Sequence, residues 1–258
     1  MTQAVTLITG ASSGIGADLA RIFAARGHRT VLVARRLDRL AALADEIVAA
    51  GGERPITLAC DLQANGACDI LAAELAALDL DIGILVNNAG FGLFGRAMQM
   101  DRESQLAMVD LNVRALTDLS LRFADSLVRN KGGLLNVASI AAFLPGPGMA
   151  VYYASKAFVL SFTEAMRAEL GPQGVRVTAL CPGPVPTEFQ ERAGFAPGLD
   201  STLLNVSARD VAMAGYRGLM ADKRVVLPGL GIRVIPFLLR FAPRAFVLST
   251  VAKVQRSR

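Results

Sequence analysis

Val5-Thr6-Leu7-Ile8-Thr9-Gly10-Ala11-Ser12-Ser13-Gly14-Ile15-Gly16 decides the fold. Its first five residues are β-branched or apolar, the composition of a buried strand. The glycines follow as Gly-x-x-x-Gly-x-Gly, and a helix begins among them. Backbone freed by glycine lies close to a pyrophosphate, and the helix N-terminus offers it unpaired N–H groups and a positive dipole end. The spacing differs from the Gly-x-Gly-x-x-Gly dinucleotide fingerprint. Read alone, it also fits a tight βα turn without a ligand.

The pattern repeats outward from this stretch. Short strand-like runs at 4–9, 29–34, 55–60, 82–88, 133–139, 175–181 and 224–228 alternate with helical patterns near 14–26, 38–50, 65–77, 102–130, 151–170 and 207–221. Asp38 and Ser207 read as N-caps, the latter with Asp210 three residues on. Such alternation predicts an α/β, doubly wound fold: a mainly parallel seven-stranded sheet with helices on both faces. No linker or repeat divides the chain, so residues 1–258 read as one domain. The pattern loosens at 183–206 and again over a C-terminal extension, 229–258.

Composition narrows the chemistry. Apolar residues make up 53% of 258 and charged residues 19%, which is globular and not disordered. Thr2-Gln3 leads straight into the first strand without the pattern of a targeting segment. Cys60, Cys68 and Cys181 are widely spaced, as reduced thiols of a cytoplasmic protein would be, and give neither a disulfide framework nor metal-ligand spacing. His28, the one histidine, follows Gly27 at a helix end, so acid–base chemistry must use another residue type.

Tyr152 and Lys156 supply one. Four residues apart, they share a helical face, and an ammonium beside a phenol is expected to lower its pKa. Ser139 stands thirteen residues ahead of the tyrosine. Strand ends are where ligands bind in such sheets, and further polar segments fall there: Asp61, Asn87-Asn88-Ala89-Gly90, and Pro182-Gly183-Pro184-Val185-Pro186-Thr187. The second strand ends in Arg35-Arg36 with no acid, which favours the 2′-phosphate of NADP(H) over a free ribose hydroxyl. Asn112, inside a helical stretch, fits either a local bend or a functional polar group.

In this order and spacing, the glycine turn, Asp61, Asn87-Asn88-Ala89-Gly90, Asn112, Ser139, Tyr152, Lys156, Pro182-Gly183 and Thr187 resemble the short-chain dehydrogenase/reductase family over about residues 4–190. The resemblance implies a Rossmann-type fold and hydride transfer between a nicotinamide and a carbonyl or alcohol. It implies Asn112, Ser139, Tyr152 and Lys156 as the catalytic set. It implies cofactor contacts from Gly10, Ser12, Ser13, Gly14, Ile15, Gly16, Asp61, Asn87, Ala89, Gly90, Tyr152, Lys156, Pro182, Gly183, Val185 and Thr187, with Arg35 and Arg36 at the 2′-phosphate. Members are often homodimers or homotetramers. A dinucleotide-binding regulator with little turnover is the alternative from another class.

Phe189, Phe195, Leu199, Leu203 and Leu204 lie in 183–206, where the family covers its substrate, and Phe91, Phe94, Ile140, Phe143 and Leu144 adjoin the catalytic strand ends. They imply a hydrophobic substrate, such as a ketone, a 3-oxoacyl thioester or a steroid-like carbonyl, or else they complete the core. From Val225 to Arg258 there are six basic residues and no acid. This tail reads as a segment packed on the substrate opening or a subunit, or as a peripheral contact with anionic membrane in a lipid-metabolising reductase. It has no groove-reading motif, so nucleic acid is not an expected partner.

Overall fold

The computed structural model describes residues 3–189, 206–239 and 241–256. Among them run seven strands: β1 Gln3–Thr9, β2 Thr30–Ala34, β3 Ile56–Ala59, β4 Leu80–Asn87, β5 Gly133–Val137, β6 Arg176–Leu180 and β7 Val225–Val226. They form one sheet in the order β3-β2-β1-β4-β5-β6-β7, with every pairing parallel. The order reverses between β1 and β4. Connections leave that point in opposite directions and open a crevice at the strand carboxyl ends.

Alternation along each strand builds two cores. Ile8, Leu32 and Leu135 point to one face, which is covered by α1 Gly14–Ala25, α2 Leu37–Ala49 and α8 Ala208–Met220. Leu7, Val31, Val33 and Leu134 point to the other, covered by α3 Ala67–Ala77, α5 Leu116–Arg122, α6 Ala124–Arg129 and α7 Ala150–Leu170, while α4 Arg102–Val109 packs Met108 into a separate cluster beside Tyr152. Phe23, Leu40 and Leu219 are fully buried in the first layer, as is Leu71 in the second, where Leu119 is almost fully buried. Each such side chain contributes about 1.5–3 kcal/mol.

Two local readings change. The stretch 102–130 is not one helix. A π-helical turn, Asp110–Ala115, separates α4 from α5, and the chain breaks again at Phe123 before α6. Asn112 sits within that turn, so its poor helix propensity marks a real distortion of the backbone. Asp38 is not the cap of α2. Arg36 holds the cap position, and Asp38 lies in the first turn, where a carboxylate favours the dipole. Ser207 does cap α8, its hydroxyl accepting from Asp210 N at 3.1 Å. The C-terminal extension forms α9 Leu230–Leu239, with Pro236 inside it, and α10 Arg244–Arg256. No helix among the described residues is long and apolar enough to cross a membrane. Within 183–206, residues 190–205, which include Phe195, Leu199, Leu203 and Leu204, lie outside the described residues.

Parallel pairing of β4 and β5 requires close backbone approach where β5 begins. A Cβ on Gly132 would stand 1.7 Å from the carbonyl oxygen of Gly83. Neither backbone has room to yield, so Gly132→Ala should cost about 3 kcal/mol. The expected outcome is a clearly lower thermal midpoint in a circular-dichroism melt, without change in the active-site residues.

Candidate active site

One cleft of about 820 Å³ runs along the carboxyl ends of the strands. The glycine turn forms its floor. Gly10 adopts φ +66° and Gly14 φ +54°, which a side chain would strain. Gly16 lies behind the turn and does not line the cleft. A Cβ there would stand 2.3 Å from Gly10 O and 2.4 Å from Asn88 Nδ2, so Gly16 lets α1 pack against its own turn.

Asn88, not its neighbour, holds this floor in place. Its side chain donates to Thr9 O at 3.0 Å and Gly10 O at 3.1 Å. The backbone N–H groups of Asn88 and Ala89 both donate to Thr9 Oγ1 at 3.0 Å. Asn87 turns away from the cleft. Its Nδ2 donates to Asn136 Oδ1 at 2.9 Å and Ser120 Oγ at 3.0 Å, tying β4 to β5 and α5 inside the protein. The Asn87 side chain thus makes structural contacts, and Asn87, an expected cofactor residue, is not among those that line the cleft. Of the other expected cofactor residues, Gly10, Ser12, Ser13, Gly14, Ile15, Arg35, Arg36, Asp61, Ala89, Gly90, Pro182, Gly183, Val185 and Thr187 all line the cleft. Arg35 stands 3.9 Å from Asp61, and Arg36 donates to Ser12 Oγ and Ser13 Oγ at 3.2 and 3.3 Å.

At the other end β5 delivers Ser139, and α7 delivers Tyr152 and Lys156 to the same wall. All three are buried. Ser139 lies close enough to Tyr152 to act on its phenol, and its hydroxyl donates to Pro182 O at 3.5 Å. Ser139 Oγ also accepts from Ala141 N at 3.1 Å, which fixes its rotamer. Lys156 Nζ donates to Val137 O at 2.9 Å and lies 5.9 Å from the centre of the Tyr152 ring. Tyr153 lines the cleft as well, but Lys156 follows Tyr152 by one turn of helix.

Asn112 stands behind this group. Its Oδ1 accepts from Phe91 N at 3.1 Å, while its Nδ2 donates to Phe91 O at 2.9 Å and Ser155 Oγ at 3.1 Å. A Cβ on Gly90 would meet Asn112 Oδ1 at 2.9 Å and Lys156 Nζ at 3.5 Å. The π-helical turn thus brings a side chain to the 88–91 backbone and to α7 one residue before the lysine. Asn112, expected in the catalytic set, is not among the residues that line the cleft. The sequence names Asn88 only within its motif, and it does not single out Asn136, Ser155 or Glu188, because each acts through a contact between distant segments.

Electrostatics overturn one expectation. Burial pushes the Tyr152 phenol up to about 12, against the opposing effect of the Ser139 side chain. The protein alone thus favours the neutral, proton-carrying phenol. Burial also brings Lys156 down to about 8. The folded protein therefore holds the lysine proton less tightly than the unfolded chain does, so between about pH 8 and 10.5 this residue's contribution to stability rises with pH. The thermal-midpoint advantage of Lys156→Met over wild type should accordingly shrink across that window. A constant difference from pH 7 to 10 would contradict a depressed lysine.

Residues 4–195 match the family model for short chain dehydrogenases. A sulfoacetaldehyde reductase of Chromohalobacter salexigens is 40% identical over 73% of this chain and 75% of its own length. Among solved structures, a short-chain dehydrogenase from Sphingobium yanoikuyae in complex with NADPH is 35% identical, covers 96% of both chains and superposes with a TM-score of 0.84. A bulky-bulky ketone specific alcohol dehydrogenase from Comamonas testosteroni is 33% identical, with a TM-score of 0.76 over 89% of this chain and 88% of the other. A crevice at the sheet's switch point, a glycine floor and a Ser–Tyr–Lys wall accompany these likenesses, and the chain belongs to the short-chain dehydrogenase family of oxidoreductases.

Proposed function

We propose that this protein is an NADP(H)-dependent oxidoreductase that moves a hydride between the nicotinamide and a carbonyl or secondary alcohol of a hydrophobic substrate. The observation that carries the reading is the single cleft with a glycine floor and arginines at one end and Ser139, Tyr152 and Lys156 at the other. The residues fit the cofactor. Gly10, Ser12, Ser13, Gly14 and Ile15 would hold the pyrophosphate, with Arg35 and Arg36 at the 2′-phosphate. Asp61, Ala89 and Gly90 would flank the adenosine, and Pro182, Gly183, Val185 and Thr187 the nicotinamide. The cofactor, when bound, supplies or accepts the hydride.

The chain's own residues manage the proton. Ser139 holds the substrate oxygen with its hydroxyl. Tyr152, kept neutral by burial, donates its proton to that oxygen during reduction. The Lys156 ammonium, on the same helix, compensates the phenolate that remains. Asn112 fixes Phe91 and Ser155, and through them the spacing of the wall. Phe91, Ile140, Met149, Tyr153 and Phe189 make the lining around Tyr152 apolar, which favours a bulky carbonyl such as a ketone, a 3-oxoacyl thioester or a steroid-like compound. The solved relative with bulky ketone specificity supports that reading, whereas sulfoacetaldehyde, named for another relative, is small and polar.

We read residues 1–258 as one cytoplasmic domain working as a homodimer or homotetramer. Val234, Phe237, Leu238, Phe241 and Phe246 are exposed on α9, on α10 and between them, an apolar patch that supports docking of a subunit. The basic residues of this tail favour a second reading, a peripheral contact with anionic lipid.

Tyr152→Phe should abolish NADPH-dependent ketone reduction, by about a hundredfold or more, while calorimetry still detects NADPH. Near-wild-type turnover would sink the mechanism. Replacing Phe237, Phe241 and Phe246 together with serine in the full chain should yield a smaller species by sedimentation velocity. Wild-type protein that instead pellets with anionic vesicles would favour the lipid reading.

A further inference from the structure

Thr187, Glu188 and Phe189 reach three parts of the cleft in succession. A Cβ on Gly14 would meet Thr187 Cγ2 at 3.1 Å. The Phe189 ring lies 5.5 Å from that of Tyr152. Glu188, between them, points back to the end of β2. Its Oε2 accepts from Arg36 Nη2 at 2.8 Å, and its Oε1 accepts from Arg39 Nη1.

The same Arg36 nitrogen donates to Ser12 Oγ and Ser13 Oγ. Two guanidinium groups therefore hold one carboxylate at the adenosine end of the cleft, and one of them also reaches two hydroxyls. This is the donor set of an oxyanion seat, and the chain's own carboxylate occupies it. A 2′-phosphate entering beside Ser12 and Ser13 would need the same donors. Two anions held by the same guanidinium repel each other, so one must leave. The exchange is open to solvent, since Arg36, Arg39 and Glu188 have side chains 40%, 45% and 42% exposed. Pairs of that exposure are weak enough to be displaced.

We propose that Glu188 is a resident competitor for the 2′-phosphate. Its carboxylate holds Arg36 and Arg39 in the free protein, gives them up when a phosphorylated dinucleotide seats, and so sets cofactor affinity and the preference between NADP(H) and NAD(H). The proposal rests on the NADP(H) reading above. It also ties the adenosine end to the catalytic end, because Glu188 is flanked by residues that face the glycine turn and Tyr152.

Calorimetric titration of the full-length protein tests it, with NADPH and NADH as the probes at one ionic strength. Glu188→Gln should bind NADPH about fivefold more tightly, the most that an exposed pair withholds, and NADH within about twofold of wild type. Glu188→Ala should tighten NADPH binding too, so that a new hydrogen bond from the glutamine amide does not decide the result. Unchanged or weaker NADPH binding in either variant overturns the proposal, since Glu188 would then be bracing the arginines. Arg36→Ala separates this from failure of the cofactor reading. If it loses NADPH far more than NADH while Glu188→Gln gains nothing, only the competitor role falls. If it leaves NADPH binding as in wild type, the arginine seat is not the phosphate site and both readings fall.

Discussion

Thr9 and Asn88 hold together the one place where this sheet changes direction. β1 and β4 are neighbours in space but distant in sequence, and their continuations depart to opposite faces. Left alone, the parting backbones would expose N–H and carbonyl groups to a crevice. The Thr9 hydroxyl accepts from two successive N–H groups, and the Asn88 amide donates to two successive carbonyls. Four hydrogen bonds between short side chains and backbone thus fix the glycine floor relative to the 88–91 wall. Everything that faces the cleft is referenced to that join: the glycine turn on one side, and on the other Gly90, under which Lys156 and Asn112 fit.

Burial then sets the chemistry. Lys156 is cationic at neutral pH although it is buried, and a backbone carbonyl, not a carboxylate, receives it. A carboxylate partner would have stabilised the charge and raised the lysine's pKa. A carbonyl leaves the ammonium unneutralised beside a phenol that burial keeps protonated. The arrangement is therefore a poor place to rest a phenolate and a poor place to rest an ammonium separately. It is a good place for the two to appear together. That is the electrostatic demand that the proposed proton donation from Tyr152 would make, with the Lys156 charge met only as the phenol lost its proton.

What the sequence disclosed and what it hid follow the reach of each signal. The strand–glycine–helix turn and Tyr152 with Lys156 are local patterns, legible because backbone conformation and helical period act over a few residues. Seven strands were placed to within about two residues because buried parallel strands read as unbroken apolar runs. Which of Asn87 and Asn88 faces the cleft was not legible. Consecutive residues at a strand end point opposite ways, and nothing local gives the parity. The π-helical turn showed only as an ill-placed Asn112, since its compensation comes from Phe91 and Ser155 on other elements. The direction of the Tyr152 shift is not legible in spacing, which reports the nearness of a charge but not the loss of water, the largest effect on this phenol.

The segment after β6 shows how one strand of chain serves two ends of a site. Pro182, Pro184 and Pro186 restrict its backbone, so Thr187, Glu188 and Phe189 are presented with little conformational freedom left to lose. Thr187, Glu188 and Phe189 are consecutive, so a backbone shift at one is passed to the others. An anion that unseats Glu188 from Arg36 therefore acts on the same short stretch that places Phe189 against Tyr152. In the proposed exchange, occupancy at the arginines and shape beside Tyr152 would be linked through covalent connectivity over three residues, a shorter path than any through the core. The linkage needs no second conformation of the sheet, whose two packed layers leave it little room to change.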